Sequence, residues 1–354
     1  MFSKWTQYYT NQLNHCIMTN TKKYALYIGI ILIVITVLSL VLSKKYTVEI
    51  QRDIDAPANV IFNAINDLQT QSRWNSLLLS DTSTNITFPG NTVGNGSSCE
   101  YSGLKINNGI IKIASSHDND SIYIIQSPVS KNEIHHVYFV ESKDSLHTVL
   151  KIKATTETGF LSNLVKFISK WKLEKVLMKD AENLTALINE RLVQKLYNGY
   201  QIEEILPAPK FFITHRGEVA IENISQFYTQ NISALYQKAL NANIVVSGMP
   251  CGLYYTWDEA KQKSDMAAAL PTLAQLNNIP ESNAVSIPSK PALKIVYRGD
   301  KRNSGKAHNA MGDFMKDRQL FMDVPMIEEY VTDPTKEPDP EKWTTNIYYY
   351  YSRK

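Results

Sequence analysis

The chain has 354 residues with 37 Lys and Arg against 34 Asp and Glu. Its first 45 residues hold five lysines and no acid, so the remainder is 32 basic against 34 acidic, a net charge of minus two. That balance, without a basic stripe, excludes nucleic-acid binding, which needs clustered Lys and Arg to neutralise phosphates; three widely separated cysteines, Cys16, Cys99 and Cys251, exclude a disulfide framework or zinc spacing and read as buried thiols.

A polar tail, residues 1–23, leads into an uncharged apolar run from Tyr24 to Ser43, flanked by Lys22, Lys23, Lys44 and Lys45. At about 1.5 Å per residue a helix of this length spans roughly 30 Å, the hydrocarbon thickness of a bilayer, so a single-pass transmembrane helix is expected over 24–43. A cleaved secretory signal fits less well, because a long polar tail precedes the run and no small-x-small site follows it. A buried soluble helix fits less well still, since the run has no polar face. Lysines are nearly balanced across it, but the tail lacks acids whereas Glu49, Asp53 and Asp55 follow the span. The N-terminus is therefore expected in the cytoplasm of a bacterial-type cell and the soluble part outside.

From Tyr46 to Asp53 the residues alternate as in a half-buried strand. Asp55-Ala56-Pro57 opens a helix, with Asp55 as candidate cap and Val60, Ile61, Ala64, Ile65 and Leu68 at helical spacing. Strand-like runs follow at 85–88, 98–104, 109–115, 121–127, 133–141 and 147–155, separated by turn clusters and hence antiparallel. After Gly159 comes a long helix whose apolar stripe includes Leu177, Leu184, Leu187 and Ile188. Strand, short helix, antiparallel strands and long helix is the helix-grip order. With Asp55-Ala56-Pro57-Ala58-Asn59-Val60-Ile61-Phe62, Arg73-Trp74-Asn75 and Val93-Gly94-Asn95-Gly96, the segment 46–196 resembles the SRPBCC (START-like, polyketide-cyclase-like) superfamily.

Gly199, Pro207 and Pro209 lead into a second unit that carries a repeat. Lys210-Phe211-Phe212-Ile213-Thr214-His215-Arg216-Gly217 is echoed by Ala292-Leu293-Lys294-Ile295-Val296-Tyr297-Arg298-Gly299, 82 residues on. Each copy reads strand, helix, strand, strand, which predicts one mixed α/β domain with a pseudo-twofold axis. With Gly252-Leu253-Tyr254-Tyr255-Thr256-Trp257-Asp258 and Pro325-Met326-Ile327-Glu328-Glu329-Tyr330, the segment 199–354 resembles the GyrI-like (AraC-type) effector-binding domain. The fold class expected for the whole chain is α+β: a transmembrane helix, a helix-grip antiparallel sheet and the two-repeat domain.

Period-two geometry puts Glu328 and Tyr330 on one strand face and Ile327, Glu329 and Val331 on the other. The GyrI-like resemblance implies that Glu328 lies in the cleft between the repeats and engages cationic or polarised ligands. Spacing alone favours an exposed Glu328, or one paired with an Arg such as Arg298, and only the resemblance reverses that order. Tyr255 and Trp257 are expected to share a face, as are Tyr348 and Tyr350, and together they suit walls for flat or cationic ligands. In the first domain the SRPBCC resemblance implies an apolar cavity, with Trp74 and Tyr101 among its candidate lining. The adjacent charges Asp300, Lys301 and Arg302 read as a solvated loop. Neighbouring His135 and His136 point to opposite strand faces and cannot chelate a metal together. No metal or cofactor is expected.

The expected function is membrane-anchored binding of a small organic ligand, possessing cationic or amphipathic character, in these two pockets. One alternative is a hydrolase of strained or toxic metabolites, with Glu328 as base or acid aided by Tyr255 or Tyr330. Another is a non-catalytic scaffold for a protein partner.

Overall fold

The computed structural model describes residues 23–31, 33, 34, 36, 37, 44–129, 131–158, 166–276 and 284–353. Cys16 and residues 38–43 of the apolar run lie outside the described residues. The described part of that run is helical and exposes Tyr24, Leu26, Ile28, Ile31 and Val34. Among the described residues no helix is long and apolar enough to cross a membrane, so the expected transmembrane helix is not supported here. The chain divides into two compact units, Met1–Ile188 and Asn189–Lys354.

In the first unit, strands β1 (Lys45–Ile54), β2 (Asn85–Thr87), β3 (Ser98–Ser102), β4 (Gly109–His117), β5 (Ser121–Pro128), β6 (Ile134–Ser142) and β7 (Thr148–Glu157) form one sheet. Its order is β1-β7-β6-β5-β4-β3-β2, and every pairing is antiparallel. Short helices α1 (Ala58–Ile65), α2 (Leu68–Gln71) and α3 (Ser76–Leu79) follow β1, and α4 (Lys166–Val193) follows β7. This is the expected helix-grip order. Asp55 does not cap α1: the helix begins after Pro57 without a side-chain cap, whereas Asp67 and Asn75 cap α2 and α3 by accepting from two backbone N–H groups each. Leu173, Leu177, Ala181, Leu184 and Ile188 form the buried stripe of α4. Asn183 Nδ2 donates to the Trp74 carbonyl at 3.0 Å, and Asp180 Oδ1 accepts from Ser76 N–H at 2.6 Å, which ties α4 to the helical segment.

The second unit opens with a small hairpin, β8 (Leu196–Tyr197) and β9 (Tyr200–Gln201). Its main strands are β10 (Glu203–Ile205), β11 (Lys210–Ala220), β12 (Cys251–Asp258), β13 (Lys263–Thr272), β14 (Ala284–Ile287), β15 (Ala292–Arg298), β16 (Leu320–Tyr330) and β17 (Thr344–Arg353). Helix α5 (Ile224–Asn241) follows β11, and α6 (Gly305–Asp317) follows β15. The sheet order β10-β15-β17-β16-β12-β13-β11-β14 reads as two copies back to back, meeting at β16 and β12. Every pairing in this sheet is antiparallel. The cause is that the last strand of each copy inserts between the two strands joined by the helix, β13 between β11 and β12 and β17 between β15 and β16. The lead-in strands are exchanged: β10 pairs with the second copy and β14 with the first.

Both helices pack on one face of this sheet, α5 over Ile213, Ala268 and Leu270 and α6 over Ile295, Tyr297 and Ile347. Leu253, Ala267, Ile327, Tyr348 and Tyr350 belong to a separate cluster on the opposite face. Arg191 is buried beside Asp317 and Asp313 of α6 at 3.5 and 3.6 Å. Cys99 and Cys251 are buried free thiols, as expected.

Candidate functional site

Glu328 sits on β16 where the two copies meet, opposite Gly252 of β12 and Ile347 of β17. Only 6% of it is exposed. Its Oε2 accepts from Tyr330 Oη at 2.8 Å and Tyr254 Oη at 3.2 Å, while Oε1 lies 2.9 Å from His308 Nε2 on α6. The same imidazole meets Tyr349 Oη through Nδ1 at 3.1 Å. Burial pushes the Glu328 carboxyl up, but His308, Tyr330 and Lys301 outweigh it and hold the group below the usual range. Burial and the neighbouring carboxylate push the Tyr254 and Tyr330 hydroxyls well above their usual range, so both remain donors.

A glycine makes room for this cluster. A Cβ at Gly252 would stand 2.9 Å from both Tyr254 Cε2 and Tyr330 Oη, so a side chain there would displace the phenols from the carboxylate. Across from them, Lys301 Nζ rests 4.4 Å from the Tyr330 ring centroid and 4.9 Å from that of Tyr228, whose ring meets Tyr330 edge to face. Burial lowers the Lys301 pKa, opposed by the charges of Glu328 and Asp300. The expected solvated loop is therefore corrected: Asp300 is buried and paired with Arg302, which fixes the turn and turns Lys301 inward. The buried Tyr228 hydroxyl has no hydrogen-bond partner among the described residues.

Of the residues expected around Glu328, the structure brings only Tyr330 into contact with it. Tyr348 and Tyr350 face the other way, and Tyr348 Oη donates to Glu329 at 3.0 Å. Tyr349 takes the place expected for them. On β12 the register shifts between Tyr254 and Thr256, which breaks the alternation used to pair Tyr255 with Trp257. Tyr255 instead stacks under Arg216 at 3.5 Å, and Trp257, 51% exposed, lies 6.2 Å from the Tyr254 ring. Arg298 is exposed and has no part in the cluster. His308, Tyr254, Tyr228 and Lys301 were missed. Tyr254 was legible only as the residue beside Gly252, and the helix-borne groups carried no spacing signal.

The first unit holds a cleft of about 400 Å³ between the sheet and α4. Its apolar lining includes Leu77, Ile106, Ile134 and Leu173, but it is not the wholly apolar cavity expected: Tyr101, Gln126, His136 and Asp180 line it too. Trp74 is not part of the lining. It is fully buried, donates from Nε1 to the Ala64 carbonyl at 3.0 Å and meets Tyr138 edge on. Tyr101 fits because a Cβ at Gly109 would stand 2.4 Å from its hydroxyl. His136 is 5% exposed, and neither ring nitrogen has a partner among the described residues, a cost of about 1–3 kcal/mol per unsatisfied group. Burial, then the adjacent His135, depress its pKa to about 4, so the ring is neutral. Burial raises Asp180 to about 6, against the opposing bond from Ser76.

No protein-family model matches the chain, and no curated protein matches it. Among solved structures it is similar to the EcmrR C-terminal domain, at 16% identity over 44% of this chain and 99% of that domain, with a TM-score of 0.39. It is also similar to norcoclaurine synthase from Thalictrum flavum in complex with dopamine and hydroxybenzaldehyde, at 12% identity over 43% of this chain and 91% of that one, TM-score 0.35. A third is the Zhui aromatase/cyclase from Streptomyces sp. R1128, at 11% identity over 42% and 96%, TM-score 0.35. Likenesses this loose assign no activity, which rests on the chain's own residues.

Proposed function

We propose that the chain binds small organic molecules, with its principal site at Glu328 and a second in the cleft of the first unit. The observation that carries this reading is the Lys301 ammonium resting on the rings of Tyr228 and Tyr330 beside the buried, ionised Glu328. An aromatic cage around a carboxylate suits a cation, and here a side chain of the protein stands where a ligand's cationic or polarised group would sit. Isothermal titration with benzyltrimethylammonium and larger aromatic quaternary ammonium ions tests it. Binding is expected to be saturable, about tenfold tighter in Lys301→Met, the size of one such contact, and lost in Glu328→Gln. Equal affinity in all three proteins would refute the reading.

One observation favours a second reading, hydrolysis: Glu328 holds the His308 imidazole at 2.9 Å with Tyr330 at 2.8 Å, an acid–base set that could act on water. Turnover that vanishes in Glu328→Gln while the fold persists would distinguish it from binding alone. We place the protein at a membrane with its soluble units outside, on the strength of the uncharged run 24–43 and the exposed apolar side chains of its described residues.

A further inference from the structure

The cleft of the first unit has both polar and apolar lining. Its buried end carries His136, Gln126 and Tyr101, which register brings together: His136 pairs with Ile124 two residues before Gln126, and Tyr101 lies beside Gly109. Lys105 and Lys131 line the same cleft but are exposed, so they stand at its mouth. Leu77, Ile106, Ile134 and Leu173 supply apolar lining to the same cleft. A neutral imidazole whose two nitrogens have no partner among the described residues offers a donor on one side of the ring and an acceptor on the other, and a hydroxyl, which both accepts and donates, can pair with either. Two ammonium groups at the mouth favour an anion and oppose a cation. The volume, about 400 Å³, is within the range of small-molecule pockets, roughly 300–1,000 Å³.

We infer that this cleft takes an amphipathic hydroxy acid, its carboxylate at Lys105 and Lys131, its apolar body along Leu77, Ile106 and Leu173, and its hydroxyl on one ring nitrogen of His136. Asp180 belongs to the same wall, where its carboxylate accepts from the Ser76 N–H, and it repels the acid end from the interior while accepting from a hydroxyl. The inference rests on reading the cleft as a ligand pocket. It is independent of the Glu328 cluster, which lies in the other unit.

The test titrates the full chain by calorimetry with 10-hydroxydecanoate, decanoate and 1-decanol. The hydroxy acid is expected to bind about tenfold tighter than decanoate, the size of one well-made buried hydrogen bond. That ratio should fall to about one in His136→Phe, which replaces the unpaired ring by an apolar one of similar size. Lys105→Gln with Lys131→Gln should weaken both acids and leave 1-decanol unchanged. In wild type, the hydroxy acid should move the His136 ring nitrogen resonances and decanoate should not, a readout that survives if the variant misfolds. Equal affinity for the two acids, unmoved ring resonances or indifference to the lysine changes would overturn the ligand class while leaving the pocket. Failure of all three compounds to bind would remove the pocket reading as well.

Discussion

His136 and Asp180 impose opposite pH dependences on the first unit, and each is expected to hide the other. Asp180 rises from 3.8 to about 6 on burial, while His136 falls from 6.5 to about 4. A raised carboxyl contributes stability that is present below its unfolded pKa and lost as pH rises through its folded one. A depressed imidazole contributes stability that is present above its unfolded pKa and lost as pH falls through its folded one. At pH 5 the folded unit holds the Asp180 proton and the unfolded chain holds the His136 proton, so the numbers of bound protons match and the pair contributes no slope. Each shift is a little over two units, about 3 kcal/mol at 1.36 kcal/mol per unit. In Asp180→Asn, stability relative to wild type should therefore climb by about 3 kcal/mol between pH 4 and 6.5. In His136→Phe it should fall by a similar amount over pH 4 to 6. The assay is urea unfolding at each pH, read by a labelling pulse at the buried Cys99 thiol, with Cys251 reporting the second unit separately. Differences taken against wild type at the same pH cancel every other titrating group. Flat profiles in both variants, or slopes of the same sign, would refute the reasoning.

Gly252→Ala places a methyl group against Tyr254 and Tyr330, and should cost about 1–3 kcal/mol by overpacking while weakening quaternary ammonium binding, both measurable on one preparation by denaturation and titration. Arg191→Met leaves Asp317 buried beside Tyr197 without its guanidinium, and the urea midpoint at Cys251 should report a loss of about 3–5 kcal/mol. If the run 24–43 holds the protein at a bilayer, the full chain should stay with membranes through alkaline carbonate washing and the chain lacking residues 1–43 should not; release of the full chain would end that reading.

The order of elements was legible because it is written in local patterns. Alternation marked the strands of the first sheet, helical spacing marked α4, and the echo of Lys210–Gly217 at Ala292–Gly299 announced two copies of one unit. The partner of Glu328 was not legible. His308 reaches it from a helix 20 residues earlier, and Lys301 comes from a turn that its charges alone made to look solvated. Tyr254 faces the carboxylate because it keeps regular register two residues after Gly252, and the irregularity between Tyr254 and Thr256 bears only on the alternation that pairs Tyr255 with Trp257.

What the sequence by itself determined is the period of each segment, the repeat, and the face that carries Glu328 and Tyr330, since these depend on neighbours a few residues away. Only the tertiary structure decided that Tyr349 and not Tyr348 stands by the carboxylate, that Lys301 lies on the rings of Tyr228 and Tyr330, and that His136 is buried with both nitrogens unpaired. Those facts depend on which strands lie side by side and which helix crosses them, and on burial, which sets protonation through desolvation from every direction at once.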